Sequence, residues 1–316
     1  MKKKFIDLFA GTGAFSIALE NTGTYECVFA NDMEKSSRDT YTLNHGDGVF
    51  VHGNLLDIPV SDIPPHDLLC GGFPCQPFSI AGDKKGFDDP RSNVFWKIVE
   101  ILKHHTPETV LLENVKNLCS HDKGNTFRVI TQALEECGYH IRCQILDTSK
   151  MTHVPQHRER IYIVGFRDPG LAERFTFDFP SMDVQDVRTF LEDAPDKKYY
   201  YTNRVKVFDA VDKGVQKEGV IYQYRRYYVR ENKSNRCPTL TANMGGGGHN
   251  VPLIRTGEGV RKLTPRECFN LQGFPRDFKL PPISDSALYK LAGNAVSVPV
   301  VTQLAEKLKT LVSIST

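Results

Sequence analysis

The chain has 316 residues, which suits one large domain or two modest ones with ample apolar content for a core. Its 40 Lys and Arg against 38 Asp and Glu leave a formal net charge of +2, which excludes a basic polyelectrolyte and confines any nucleic-acid surface to a local patch. The 8 cysteines are scattered with no C-x-x-C pair, which argues against a zinc site or a disulfide scaffold and for a reducing, cytoplasmic setting.

In chain order, Met1-Lys2-Lys3-Lys4 leads into a short strand and a glycine turn, without the apolar core and cleavage site of a secretory leader. No run approaches the ~20 apolar residues of a membrane span, so no membrane partner is expected. Residues 5–10 read as a strand, Gly11-Thr12-Gly13 as a turn and residues 14–20 as a helix, the geometry that offers backbone N–H groups to a ligand. The third glycine of the dinucleotide fingerprint is missing, so NAD is poorly supported. A second strand over 26–30 ends in Asn31-Asp32, and an acidic residue about 20 positions after such a turn commonly accepts hydrogen bonds from ribose hydroxyls. Gly53-Asn54-Leu55 follows a third strand, and the Asn54 amide has the donor and acceptor needed to read an adenine edge. Each signal alone fits a plain tight turn; in this order they point to an adenosine-bearing cofactor.

The run Leu68-Leu69-Cys70 reads as a buried strand end, followed by Gly71-Gly72-Phe73-Pro74-Cys75-Gln76-Pro77-Phe78-Ser79. Pro74 disfavours helix at Phe73, so Cys75 is expected in a turn at the mouth of the sheet, where a nucleophile sits; a structural loop with a small thiol is the alternative. A buried strand over 109–112 ends in Glu113-Asn114-Val115, and a carboxyl leaving a strand end beside apolar neighbours is a candidate proton donor; a solvated loop glutamate is the alternative. Gln156-His157-Arg158-Glu159-Arg160 precedes the strand 161–165. Two arginines at i, i+2 on an extended segment point the same way and suit a phosphate or a base oxygen; a charged strand edge is the alternative.

Beyond residue 166 the strand–helix alternation dissolves. Residues 222–230 mix tyrosines with three arginines, which predicts a phosphate-binding strand, with tyrosines buried beneath arginines as the other option. Thr239-Leu240-Thr241 leads to four glycines at 245–248 and then His249, and the glycines let backbone approach a base edge closely.

Together these segments resemble the bacterial DNA cytosine-5 methyltransferases that use S-adenosyl-L-methionine. The resemblance is carried by Phe9-Ala10-Gly11-Thr12-Gly13, Asn31-Asp32, Gly53-Asn54-Leu55, Pro74-Cys75-Gln76, Glu113-Asn114-Val115 and Gln156 to Arg160. The stretch 261–268 and Gly293-Asn294-Ala295-Val296 complete it. It implies an α/β fold: a Rossmann-like methyltransferase sheet with a second, smaller target-recognition domain. The boundaries expected are 1–180, completed by 290–316, for the catalytic domain and 181–289 for the small domain and hinge. By resemblance Cys75 is the nucleophile, Glu113 contacts the target cytosine, and Arg158 with Arg160 support the base and Cys75. Phe9, Gly11, Gly13, Asp32, Met33, Asn54, Leu55, Asn294 and Val296 are expected to hold the cofactor. DNA contacts are expected at Gln76, Ser79, Arg91 (in the 82–91 segment, which matches a loop that closes over DNA), Arg225, Arg226, Thr239, Thr241, Gly246, Gly247 and His249. No metal is implied.

Two departures stand out: Asp32 replaces the longer glutamate common at the ribose position, and Met33 stands where a larger apolar residue is common. The partner implied is double-stranded DNA, with a monomeric enzyme in a bacterial or phage setting and a cognate restriction endonuclease acting separately. A tRNA cytosine-5 methyltransferase is the near alternative, but such relatives carry threonine where this chain has Ser79. A catalytically silent DNA-binding homologue is the other, and binding alone needs neither a nucleophile nor a proton donor.

Overall fold

The computed structural model describes residues 1–74, 93–180, 182–232, 236–246 and 249–314. The chain divides into two compact units: Met1–Leu146, Glu159–Phe179 and Val301–Thr316 form the first, and Asp147–Arg158 with Pro180–Val300 the second.

The first unit is built on strands β1 (Lys3–Leu8), β2 (Tyr25–Asp32), β3 (Phe50–His52), β4 (Leu68–Gly72), β5 (Thr109–Val115), β6 (His140–Asp147) and β7 (Glu159–Phe166). Its helices are α1 (Ala14–Glu20), α2 (Lys35–His45), α3 (Asn93–His105) and α4 (Asn125–Glu136). The strands form one seven-stranded sheet in the order β3-β2-β1-β4-β5-β7-β6. The pairs from β3 through β5 are parallel, and β7 runs antiparallel to β5. The strands of a sheet covered on both faces read as continuous apolar runs, and here Ile6, Leu8, Leu69, Val110, Leu112 and Ile163 are buried in one cluster. Helix α3 docks on it through Phe95, Ile98, Val99 and Leu102, the i, i+3, i+4, i+7 stripe of an amphipathic helix. The strand order reverses beside β1, so the carboxyl ends of β1, β2, β4 and β5 open on a topological switch point, where open α/β sheets bind ligands.

Beneath this edge lies a polar cluster. Asp7 on β1 is fully buried and accepts a 2.9 Å hydrogen bond from Ser16, whose hydroxyl also lies 2.9 Å from Tyr41 Oη. Burial outweighs these bonds and raises the Asp7 pKa to about 7.

In chain order α5 (Thr148–Met151), α6 (Pro169–Arg174) and α7 (Phe208–Gly214) follow. In the second unit β8 (Tyr222–Arg225), β9 (Tyr228–Glu231), β10 (Val251–Thr256) and β11 (Gly259–Lys262) make a four-stranded antiparallel sheet in the order β11-β10-β8-β9. Its core holds Tyr222, Tyr224, Val251, Leu253 and Val260. Helices α8 (Pro265–Leu271) and α9 (Asp285–Asn294) complete it, and α10 (Val298–Ile314) begins in this unit and ends in the first. The stretch 261–268 is a structural clamp: Arg261 forks onto Glu267 with two 2.7 Å hydrogen bonds, both side chains essentially fully buried. Glu267 also closes a capping box with Thr264 at the start of α8.

Candidate active site

In the first unit the loop after β1 turns through Gly11 at φ 55° and Gly13 at φ 79°. A side chain is disfavoured at Gly13 by its positive φ, and an added Cβ would lie 2.3 Å from His45 Nε2, so the His45 ring would have to move. Helix α1 starts directly after Gly13 with no side-chain cap. Phe9 adopts φ 56°, a conformation that strains a bulky residue, and packs half-buried against the core. The Asp32 carboxylate, at the end of β2, accepts from the Gly11 N–H at 3.0 Å and from the Glu34 N–H at 2.8 Å. It therefore ties the glycine turn to the neighbouring strand. Burial raises its pKa against the pull of these bonds. Two carboxylate oxygens offer about four acceptor positions, so lone pairs remain for hydroxyl donors. Met33 is exposed at 65%, Leu55 is inside the core, and Asn54 Oδ1 accepts from the Leu56 N–H at 3.2 Å. The Asn54 acceptor thus serves its own turn, leaving its NH₂ group as the edge for a ligand.

At the neighbouring strand ends, the ladder sets Gly72 of β4 opposite Glu113 of β5, and Val115 opposite Arg160 of β7. That register brings Arg160 Nε to 3.0 Å from Glu113 Oε1, with the two side chains 14% and 9% exposed. One residue on, Asn114 Nδ2 donates to the Phe73 carbonyl at 2.9 Å. This bond anchors the chain where it leaves β4 for Pro74 and Cys75. Sequence reasoning gave Asn114 no role, although its place beside Glu113 in a strand-end motif was the available signal. Cys75, Gln76, Ser79 and Arg91 lie outside the described residues, as does Gly247.

Arg158 and Arg160 were expected to point the same way, but they take different partners. Strand β7 begins only at Glu159, so the alternation rule does not reach Arg158. Arg158 belongs to the second unit, is 2% exposed, and donates to the carbonyls of Leu240, Gly293 and Ala295 at 3.1, 3.2 and 2.7 Å. Gln156 makes the same kind of brace, donating to the Leu271 carbonyl at 2.7 Å and accepting from the Leu240 N–H at 3.1 Å. Gly293 is required by close approach, since a Cβ there would meet the Thr241–Ala242 backbone at 2.3 Å. Asn294 next to it is exposed, and Val296 is buried.

Elsewhere in the second unit a cavity of about 270 Å³ is lined by His157, Gln223, Arg225, Arg230, Thr239, Thr241 and Asn250, among others. It gathers three predicted DNA contacts, Arg225, Thr239 and Thr241, and Arg230 of the predicted phosphate-binding segment, with His157, Gln223 and Asn250, to which sequence reasoning gave no individual DNA role. The signal for Gln223 was its i, i+2 spacing from Arg225, alternating with the buried Tyr222 and Tyr224. Arg225 Nη1 donates to Gln223 Oε1 at 2.9 Å, and Thr239 Oγ1 to the His157 carbonyl at 2.7 Å. His157 Nδ1 lies 2.6 Å from the buried Asp147 carboxylate. Gly246 sits in a short 3₁₀ turn with open space around its Cα, and His249 is exposed.

A family model described as C-5 cytosine-specific DNA methylase matches residues 3–310 of this chain. The chain is similar to the Type II methyltransferase M.Bsp6I of Bacillus sp. (strain RFL6), at 46% identity over 305 residues, covering 95% of this chain and 96% of that one. It is also similar to M.HhaI of Haemophilus parahaemolyticus, at 35% identity over 321 residues, covering 96% and 93% of the two chains. Among solved structures, the S. pombe Dnmt2 methyltransferase matches with a TM-score of 0.77 at 22% identity, over 98% of this chain and 99% of that one. That likeness is one of fold.

Proposed function

This chain belongs to the C-5 cytosine-specific DNA methylases, and from that premise we propose that it methylates C5 of a flipped-out cytosine in a specific short duplex sequence, through a covalent adduct on Cys75. The observation that carries the reading is the Glu113–Arg160 pair at the end of β5, beside the strand end that runs into Pro74 and Cys75. A duplex base is unreachable inside the stack, so the cytosine has to be extruded. The Cys75 thiolate adds to C6, and the displaced electron pair makes C5 nucleophilic. Glu113 shares a proton with N3 as charge builds on the ring, and Arg160 holds that carboxyl in place. Once C5 carries the methyl group, loss of its proton and expulsion of the thiolate restore the aromatic base.

The first unit fits S-adenosyl-L-methionine: the positive-φ turn at Gly11 and Gly13 leads into a helix start with no side-chain cap, and Asp32 retains acceptor capacity. When bound, this cofactor supplies an electrophilic methyl group. Gly11, Gly13 and Asp32 hold it, with Phe9, Met33 and Asn54, and Leu55 fixes the loop from inside the core. We assign Asn294 and Val296 to the same role on the strength of the family resemblance. We assign sequence recognition to the second unit, where Arg225, Thr239, Thr241 and His157 line one polar cavity, with Arg158 as a brace of that unit. Among the described residues no helix is long and apolar enough to cross a membrane. The Type II relatives support a role in protecting DNA from a separately acting endonuclease.

Replacing the C5 hydrogen of the target cytosine by fluorine tests the chemistry, because the final elimination needs that proton. A DNA-linked band on a denaturing gel, dependent on both S-adenosyl-L-methionine and Cys75, is expected. A band of equal intensity with Cys75→Ser would overturn the assignment.

A further inference from the structure

The β8–β9 hairpin ends in an unusual tip. Its last cross-strand pair is Arg225 with Tyr228, leaving Arg226 and Tyr227 to turn the chain. The Tyr227 N–H donates to the Arg225 carbonyl at 2.5 Å, closing a three-residue γ-turn around Arg226, which stands at φ 55°. A γ-turn centred on a positive φ is rare and strained, and Arg226 has no glycine-like freedom to relieve it. Tyr224, buried in the core, braces the tip by donating its phenol O–H to the Arg226 carbonyl at 3.0 Å. The strained turn has one visible consequence: it holds the Tyr227 ring out into solvent at 84% exposure, with Tyr228 at 58% beside it. The Arg226 guanidinium lies 6.0 Å from the Tyr227 ring centroid, Arg225 stands in the last pair before the tip, and Arg230 lies opposite Gln223, two pairs further down. The hairpin's acid, Glu231, is at the far end of the ladder and is neutralised by Lys217 at 2.7 Å.

An aromatic ring presented among cations, with no acid at the tip, matches a polyanion that also offers π-faces. We propose that Tyr227 is a stacking wedge, its ring entering the base stack of the bound duplex while Arg226 and its neighbours meet the phosphates. The proposal rests on the reading of the second unit as the DNA-recognition unit. Extruding a base breaks stacking, and an aromatic side chain inserted in the stack restores part of what was lost. The ring needs no particular base, because every base has a π-face. Tyr227 therefore assists extrusion and leaves sequence reading to its polar neighbours.

The test uses the full chain and a duplex carrying the sequence that the wild-type enzyme methylates. Tyr227→Ala is expected to slow single-turnover methylation roughly tenfold to hundredfold, the range for one lost base–aromatic stack, while Tyr227→Phe stays within about twofold. Thermal midpoints of both should match wild type, since the ring is almost fully exposed. The wild type has one tryptophan, Trp96, which serves as the baseline. Tyr227→Trp should add emission that the duplex quenches by stacking. An unslowed Tyr227→Ala, or Tyr227→Trp emission indifferent to duplex, overturns the wedge while leaving the recognition unit intact. The premise itself fails if Arg225→Ala with Arg230→Ala changes neither duplex affinity nor the methylated sequence.

Discussion

Removing the cation from the Glu113–Arg160 pair separates what the pair does for folding from what it does for chemistry. Arg160→Met keeps much of the side-chain stem and deletes the charge, leaving the Glu113 carboxylate about nine-tenths buried without the guanidinium now 3.0 Å away. Stripping one partner from a buried ion pair destabilises by ~3–5 kcal/mol, and the residual exposure of both side chains places this case near the lower end, ~3 kcal/mol. Glu113→Gln is gentler: it removes the buried charge and keeps the side chain's shape, so the expected loss is about that of one charge-assisted interaction, ~1.5–2 kcal/mol. In the double variant the buried carboxylate and the guanidinium both disappear, and a neutral amide faces a thioether. Its expected loss is ~1–2 kcal/mol, less than that of Arg160→Met alone, so the second substitution restores stability. Urea unfolding of the four proteins gives the cycle, and methyl transfer to duplex DNA is measured on the same samples. All three variants should be nearly inactive, so stability recovers in the double variant and turnover does not. A double variant no more stable than Arg160→Met would show that Glu113 is not held by the cation, and the reasoning would fail.

Two further outcomes follow from the first unit. Asp7 has its pKa raised to about 7 by burial, above its ordinary value of 3.8, so the stability conferred by neutral Asp7 is full below pH 3.8 and lost as pH rises toward 7. Asp7→Asn keeps the neutral shape, and its stability relative to wild type should improve by ~2 kcal/mol between about pH 5.5 and 8.5; a pH-independent difference in urea unfolding refutes this. Asp32→Ala should weaken S-adenosyl-L-methionine by ~1–3 kcal/mol in calorimetry while the fold survives, and an unchanged affinity would place the ribose elsewhere.

The local conformations of this chain were legible because each is set by a few neighbouring residues. Gly11 and Gly13 take the positive φ that a turn before a helix demands, and the buried runs at 5–8, 68–70 and 109–112 form strands. The segment 222–230, read as one strand, is instead a hairpin: β8 and β9 pair antiparallel and the chain turns at Arg226 and Tyr227, although Tyr222 and Tyr224 do alternate into the core. The roles proposed for Cys75 and Glu113 rest on residue type, motif order and the family resemblance. What only the tertiary structure decided is which groups share a partner. Nothing in Gln156 to Arg160 reveals that Gln156 and Arg158 spend their donors on carbonyls of the second unit while Arg160 turns to Glu113. Nor does Asn114 advertise its hold on Phe73, or Arg226 the strained turn that exposes Tyr227. Those outcomes depend on strand register and on the need of each buried polar group for a partner, which residues far apart in sequence supply only once the sheets have formed.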